Sequence, residues 1–166
     1  GSWQGKITLQ GEFSDLQAEG MIQVRNGFID TTHLDKNQST TTIFQNLNES
    51  FLNIPIQLKL ILKTDDNFRV KTRFLDLKLK GGLTLENGQG TMEIKGRLDV
   101  TEGTYDLVMR TIPVQGYVVF GDYFGFIPQI HLEGRIEVRR YDIILKADGP
   151  LDDYEMKLQS EPPLIQ

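Results

Sequence analysis

The 166-residue chain has no cysteine, only two histidines and only two alanines. The absence of cysteine excludes disulfides, thiolate metal sites and cysteine nucleophiles. The histidines, His33 and His131, are far apart in the sequence. Neither belongs to a metal-binding spacing, because a histidine ligand set normally needs more members. Alanine is the residue that most favours helices, so its scarcity argues against a helical protein.

The charge and hydropathy patterns exclude two further classes of protein. Lys and Arg total 18 against 23 Asp and Glu, so the net charge is -5, with no basic block in the sequence. Such a chain is a poor nucleic-acid binder, because neutralising phosphates needs clustered Lys and Arg. No apolar run reaches the ~18 residues of a transmembrane helix. The apolar fraction of 39% is nevertheless too high for a disordered chain. We therefore expect a folded protein with no nucleic-acid partner.

No group of residues forms a catalytic constellation. The acidic pairs Asp65-Asp66 and Asp152-Asp153 occupy turn-like positions, where Asp is a routine turn former. The segment Gly88-Gln89-Gly90 is interpreted as a turn rather than a phosphate loop, since no helix follows it. The serines lack the context of a nucleophile elbow. We therefore expect no enzymatic activity, no cofactor and no metal.

The residues that are abundant favour strands. The chain holds 20 Leu, 15 Ile, 13 Thr and 8 Val, and β-branched residues prefer extended backbone. In 56–62, every second residue is apolar (Ile56, Leu58, Leu60 and Leu62), with Gln57 and Lys59 between the first three. The same period of two recurs in 92–100, 130–138, 141–147 and 154–158. A period of two places the apolar residues on one face of a sheet and the charges on the other. The sequence predicts an all-β fold built on a curved antiparallel sheet.

We interpret residues 1–166 as a single β domain. The polar stretch 31–42 is predicted to be a long loop, and the apolar residues of 43–53 recur at a spacing of three to four. That spacing fits either a short amphipathic helix or an irregular cover over one end of the sheet. Gly1-Ser2 is interpreted as a remnant of tag cleavage.

Three glycines lie at otherwise apolar strand positions, Gly96, Gly116 and Gly134. Glycine inside a strand marks a bulge, a bend or a close approach of another group. Sheet curvature is the favoured explanation, and direct ligand contact is the alternative. The charged positions between the apolar ones are expected to face solvent and to pair weakly across strands.

The order of short motifs from Ile54 onwards resembles the C-terminal region of the TamB family, within the wider AsmA-like group of envelope proteins. The similar segments are 54–56, which opens a long alternating strand, 79–85 (LKGGLTL), 90–98 followed by 102–105 (EGTY), 114–121 (VQGYVVFG), 128–130 (PQI), 141–145 (YDIIL) with Gly149, and 158–164 (LQSEPPL). Together they cover about two thirds of the chain. Residues 1–53 are similar in style only.

The resemblance implies a long, open β half-pipe, called a β-taco, with an apolar interior. It also implies a location in the periplasm of a diderm bacterium, with the full-length protein anchored in the inner membrane. The implied role is movement of phospholipids to the outer membrane, together with an outer-membrane barrel protein of the TamA type. Because the family's membrane anchor and long repetitive β region are missing, the chain is expected to be an excised C-terminal fragment.

We expect one continuous apolar face, part of which forms a groove for a phospholipid or another acyl-chain ligand. Its predicted lining residues are Leu58, Leu60, Leu62, Val70, Ile94, Leu98, Leu107, Val118, Phe120, Ile130, Leu132, Ile136, Ile143, Leu145 and Met156. A tightly filled sandwich core would use the same residues, so alternation alone does not decide between a groove and a core.

Three other functions remain as alternatives. The chain is interpreted alternatively as a scaffold or chaperone that assists insertion of outer-membrane proteins by pairing its strand edge with a barrel partner. A membrane-spanning barrel also has alternating strands, but the dense charge of the polar face argues against it. A carbohydrate-binding sandwich would need exposed aromatic residues on its polar face, and the sequence offers few.

Overall fold

The computed structural model describes residues 2–10, 16–30, 32, 56–88, 91–107, 110–121 and 127–162. They form ten strands: β1 (Ser2–Gln10), β2 (Leu16–Arg25), β3 (Phe28–Asp30), β4 (Ile56–Lys71), β5 (Leu75–Gly88), β6 (Thr91–Leu107), β7 (Arg110–Phe120), β8 (Gln129–Val138), β9 (Tyr141–Pro150) and β10 (Glu155–Glu161). Described residues outside the strands are turns and irregular segments. The possible helix at 43–53 lies outside the described residues.

The ten strands belong to one open sheet. Its order is β1-β2-β4-β5-β6-β7-β8-β9-β10, with β3 paired to the second half of β4. Consecutive strands from β4 to β10 pair antiparallel, whereas β2 and β3 both run parallel to β4. The predicted all-β class and curved open sheet are confirmed, and the antiparallel pattern holds everywhere except at β4's parallel neighbours.

The segment Asp65–Asn67 is not the turn that its composition suggested. It lies inside β4, where the register with β5 shifts between Thr64 and Phe68. The shift coincides with the break between β2 and β3, and the side-chain amide of Asn67 donates a hydrogen bond to Asn26 Oδ1 at 2.9 Å. Three residues of β4 here face one residue of β5, and an insertion of this kind bends a strand and increases its twist. The polar run therefore bends the strand instead of ending it.

The turn between β4 and β5 comes later than the acidic run, at Thr72–Phe74. The backbone amide of Thr72 donates to the carbonyl of Leu75 at 2.7 Å, and the Thr72 hydroxyl accepts from the Leu75 amide at 3.0 Å. Phe74 lies in this turn and is 42% exposed. The second acidic pair does occupy a turn, in which the Asp153 amide donates to the Pro150 carbonyl at 3.0 Å.

The sheet curls strongly enough to bring distant strands together. Tyr105 lies near the end of β6 and Tyr154 directly before β10, yet their hydroxyl oxygens are 3.4 Å apart. Four strand spacings separate β6 from β10, which is about 19 Å on a flat sheet. Two tyrosines cannot reach across that distance from one flat face. The face that carries them is therefore the concave one.

Candidate functional site

The concave face is built from alternate residues of neighbouring strands, and we call it the inner face. Register places Leu60, Leu85 and Ile94 in one row across β4, β5 and β6. A second row joins Leu98, Val118 and Ile130 across β6, β7 and β8. Further rows include Leu62–Leu83–Gly96–Phe120, Phe68–Leu79–Val100–Gly116–Leu132–Ala147–Met156 and Ile136–Ile143. Most side chains in these rows are apolar, and Thr64, which pairs with Gly81 on the same face, is a buried polar exception.

All fifteen predicted groove residues lie on this inner face. They differ greatly in depth. Five are buried, namely Leu98, Val118, Ile130, Leu132 and Leu145. Nine are half-buried, namely Leu58, Leu60, Leu62, Val70, Ile94, Leu107, Phe120, Ile136 and Ile143, and Met156 is 42% exposed. The structure thus divides the predicted set into a packed part and an accessible part.

The packed part fills the curl of β5 to β9. Ile130, Leu145 and Ala147 have no exposed surface, and Ile112 is 1% exposed. These residues belong to one cluster with Leu75, Leu77 and Leu79 of β5 and with Tyr105. A side chain buried to this degree has exchanged its contacts with water for close packing, as in an ordinary core. Burial of these side chains therefore stabilises the folded domain.

Among the accessible residues, one group lies together on β4, β5 and the first half of β6, whereas Val70, Leu107, Phe120 and Ile136 pack against the buried cluster. Leu58, Leu60 and Leu62 follow one another along the inner face of β4, and all three keep part of their surface exposed. Leu85 and Ile94 extend the same surface onto β5 and β6. Asn87 Oδ1 accepts a hydrogen bond from the Leu58 amide near the end of this surface. We call these five apolar residues the accessible inner face.

The inner face also contains residues that the sequence prediction omitted. Leu75, Leu77 and Leu79 of β5 are 2–4% exposed and form one wall of the packed part. The sequence did indicate that these leucines share one face of a strand, because they alternate with Asp76, Lys78 and Lys80. Ile112 and Val114 of β7 follow the same period and are also buried. A search of every segment for apolar residues at every second position would have identified them.

Glycines on the inner face allow neighbouring backbones to approach. At Gly116, with φ of 146°, an added Cβ would lie 1.9 Å from the carbonyl oxygen of His131 on the next strand. At Gly96, with φ of 141°, it would lie 2.2 Å from the carbonyl oxygen of Gly82. No side chain fits in either place. The close approach therefore favours the curvature explanation for these glycines over ligand contact.

The outer face carries paired charges. Arg97 lies 2.7 Å from Asp99, Lys146 lies 3.8 Å from Glu133, and Arg135 lies 3.7 Å from Asp142. Their side chains are 39–60% exposed, so each pair stabilises the domain by under about 1 kcal/mol. This face keeps the sheet hydrated on its convex side.

His131 is more than the solvated side chain that its position suggested. Its Nδ1 is 2.9 Å from Asp148 Oδ1, and its ring packs at 4.8 Å from the ring of Tyr117. The guanidinium of Arg97 lies 3.7 Å from the centre of the same tyrosine ring. The group forms a structural patch on the outer face. His33 lies outside the described residues.

Two ionisable side chains, Tyr154 and Asp76, have pKa values shifted from their ordinary values. Partial burial and the hydrogen bond with Tyr105 raise the pKa of the Tyr154 hydroxyl, so this hydroxyl stays protonated at neutral pH. The Arg69 guanidinium donates to Asp76 at 2.5 Å, and this hydrogen bond holds the pKa of the Asp76 carboxyl below its usual value. Neither group faces the accessible inner face. Both serve the packing of the sheet.

Within the described ranges, no group of three His, Asp or Glu side chains is arranged to hold a metal ion. The same residues contain no helix that is long and apolar enough to cross a membrane.

The two outermost strands of the main sheet, β1 and β10, each have one strand neighbour in the described sheet. On β10 the inner-face residues Met156 and Leu158 are 42% and 49% exposed. They pair with Ala147 and Leu145, which are fully buried. The apolar surface therefore continues from the packed part to the outermost strand.

Comparison with known proteins identifies the family. The family model described as the TamB C-terminal domain matches residues 1–166, the whole chain. A search of curated proteins finds no significant match. TamB proteins are non-catalytic proteins of the bacterial envelope that take part in its biogenesis and associate with partners of the TamA type. Since the match covers the entire chain, this protein belongs to the TamB C-terminal domain family.

Proposed function

We propose that the domain shields acyl chains in its apolar groove and so supports phospholipid transport between the inner and outer membranes, in the periplasm. The observation that carries this proposal is the accessible inner face, where Leu58, Leu60, Leu62, Leu85 and Ile94 are apolar, adjacent and half-buried. The predicted groove residues that are fully buried contribute the supporting wall.

The energetics suit transport rather than permanent storage. Each CH₂ group that leaves water gains about 0.8 kcal/mol, so shielding a 16-carbon chain is worth on the order of 10 kcal/mol. A surface of Leu and Ile offers this gain with little directional preference, because the hydrophobic effect is non-directional. A lipid can therefore slide along such a surface without a trap at one point.

The test is lipid binding by the purified domain with matched substitutions at neighbouring positions. Leu60→Asp places a carboxylate on the accessible inner face, whereas Lys59→Asp places one on the outer face of the same strand. Native mass spectrometry after incubation with phospholipid should detect bound lipid in the wild type and in Lys59→Asp, and much less in Leu60→Asp. Equal lipid binding by all three folded proteins would refute the proposal.

A second function has its own supporting observation. The outermost strand β10, with Met156 and Leu158 exposed, could add its edge to a strand of an outer-membrane barrel partner of the TamA type. In that case the domain acts as a scaffold that assists membrane-protein insertion. Photo-crosslinking from position 159 should then capture the barrel partner, while a probe at position 133 in the middle of the sheet should not. Capture at both positions, or at neither, would argue against edge pairing.

A further inference from the structure

An aromatic contact fastens the last hairpin to a strand that is not its neighbour in the sheet. Tyr105 of β6 and Tyr154, directly before β10, bring their hydroxyl oxygens to 3.4 Å across the curl. Tyr105 is 5% exposed, and Tyr154 is half-buried. The ring of Phe74, from the β4–β5 turn, stacks on the ring of Tyr105 with 6.3 Å between their centres. We call the Tyr105–Tyr154 pair the clasp.

Beyond the clasp, β10 adds little to the core. Six of its seven residues are exposed. Met156 and Leu158 are 42% and 49% exposed on the inner face, although they pair with Ala147 and Leu145, which have no exposed surface. The curl is therefore tight at Tyr154 and widens along β10. An edge strand that buries so little surface is a part of a sheet that opens at low free energy.

The chemistry of the clasp suits a contact that separates and re-forms. A buried tyrosine hydroxyl normally needs a hydrogen-bond partner, and here the two hydroxyls lie close enough to serve each other. Their separation of 3.4 Å is longer than the usual ~2.7–2.8 Å of a hydroxyl–hydroxyl hydrogen bond. When the two side chains move apart, water satisfies both hydroxyls, so neither is left buried and unpaired. The leucines beneath the clasp have no such alternative partner.

The surface behind the clasp continues the accessible inner face. Leu98 and Val118 of the packed part lie one row along from the row that contains Leu62 and Phe120. In water the closed curl is favoured, because it keeps side chains such as Ile130 away from solvent. An acyl chain can replace these apolar contacts. A lipid that binds the open curl better than the closed one therefore shifts the population towards the open curl.

We propose that the clasp controls the access of acyl chains to the packed part. While Tyr105 and Tyr154 are in contact, an acyl chain is confined to the accessible inner face. Separation of the two tyrosines lets β10 move away from β6, widens the curl and admits the chain to the packed part. This inference rests on acyl-chain shielding for the identity of the occupant, whereas the width of the curl is a property of the protein and is measured without lipid.

The first test is a distance measurement across the curl. The chain has no cysteine, so cysteines introduced at positions 80 and 157, both exposed, carry spin labels on β5 and β10 alone. Pulsed electron paramagnetic resonance should give a narrow distribution of distances with wild-type tyrosines. Tyr154→Ala should broaden the distribution and shift it to longer distances. Labels at positions 80 and 133, which leave out β10, should give the same distribution in both proteins.

Tyr154→Phe and Tyr141→Ala complete the set of variants. Tyr154→Phe keeps the ring and removes the hydroxyl, so it should show the same change to a smaller degree and provides the test if Tyr154→Ala fails to fold. Tyr141→Ala removes a half-buried tyrosine of β9 whose ring lies 5.5 Å from the guanidinium of Arg140, and it should behave like wild type. An unchanged 80–157 distribution in folded Tyr154 variants, or an equal change in Tyr141→Ala, would overturn the proposal.

The second test maps adducts of a phospholipid that carries a diazirine at the end of its acyl chain. Mass spectrometry should locate the adducts of wild type on the accessible inner face. Tyr154→Ala should add adducts on the packed part, in the segments 112–118 and 130–147. Adducts on the accessible inner face alone in both proteins would refute control by the clasp and leave acyl-chain shielding intact. Absence of adducts everywhere would refute acyl-chain shielding and, with it, the claim about access.

Discussion

The difference in depth along the inner face predicts different responses to the same charge at two positions. Leu132 is 2% exposed between Gly116 and Ala147, while Ile94 is half-buried beside Leu85. Leu132→Asp removes a buried side chain and leaves an unpaired carboxylate in the packed part. Ile94→Asp places its carboxylate where water can reach it.

The magnitudes separate the two variants clearly. Truncating a buried leucine costs about 2–5 kcal/mol, and an unpaired buried charge adds several more. Because a whole domain is stable by about 5–15 kcal/mol, Leu132→Asp should unfold most of the protein. Ile94→Asp should cost about 1–3 kcal/mol, in the usual range for single substitutions.

Urea denaturation followed by circular dichroism measures both effects, with Leu132→Ala and Ile94→Ala as controls for lost apolar volume. We expect Leu132→Asp to be unfolded or near its midpoint in buffer, and Ile94→Asp to unfold cooperatively at a modestly lower urea concentration. Similar, severe destabilisation at both positions would show that the accessible inner face is a closed core. A well-folded Leu132→Asp would refute the packing at β8.

Three further outcomes are expected. Gly116→Ala should destabilise the domain by about 3 kcal/mol or more in thermal or urea unfolding, because the added Cβ would lie 1.9 Å from a carbonyl oxygen. The control Gly82→Ala should cost under about 1 kcal/mol, because the nearest atom to its added Cβ is 3.6 Å away. Equal costs for the two variants would contradict this account. Asp76→Asn should lower the stability at pH 7 by up to about 1 kcal/mol. Since the pKa of Asp76 is lowered in the folded state, that difference should be present above about pH 4 and be lost as the pH falls through the lowered folded-state pKa, and a difference that grows in acid would have the wrong sign. Lys146→Gln on the outer face should change stability by less than about 0.5 kcal/mol, and a loss of several would reverse the assignment of the faces.

The strand faces could be predicted from the sequence because side chains alternate with a period of two. Residues such as Leu60, Ile94 and Leu145 were assigned to one face correctly, since that assignment needs only local sequence. Depth could not be predicted in the same way. Leu145 and Met156 follow the same alternation, yet one has no exposed surface and the other is 42% exposed. The difference arises from curvature and from position in the sheet, which are set by contacts between distant strands.

Strand order and turn position were also beyond local patterns. The parallel pairing of β2 with β4 joins segments that are about 40 positions apart, and no local signal distinguishes it from antiparallel pairing. The run Asp65–Asn67 has the composition of a turn, but both neighbours of β4 accommodate it as a bend. In both cases the local sequence is compatible with two structures, parallel or antiparallel pairing and a turn or a bend, and contacts between distant strands select one of them.

The most direct test of acyl-chain shielding is site-specific photo-crosslinking to phospholipid carrying a label in its acyl chain. A photoreactive residue at position 60 lies on the accessible inner face, one at position 59 lies on the outer face of the same strand, and one at position 145 replaces a fully buried side chain. The account predicts lipid adducts from position 60 and none from position 59, with position 145 also free of adducts if the protein folds. Absence of an adduct at position 60 in the folded protein, or equal labelling at positions 59 and 60, would contradict it.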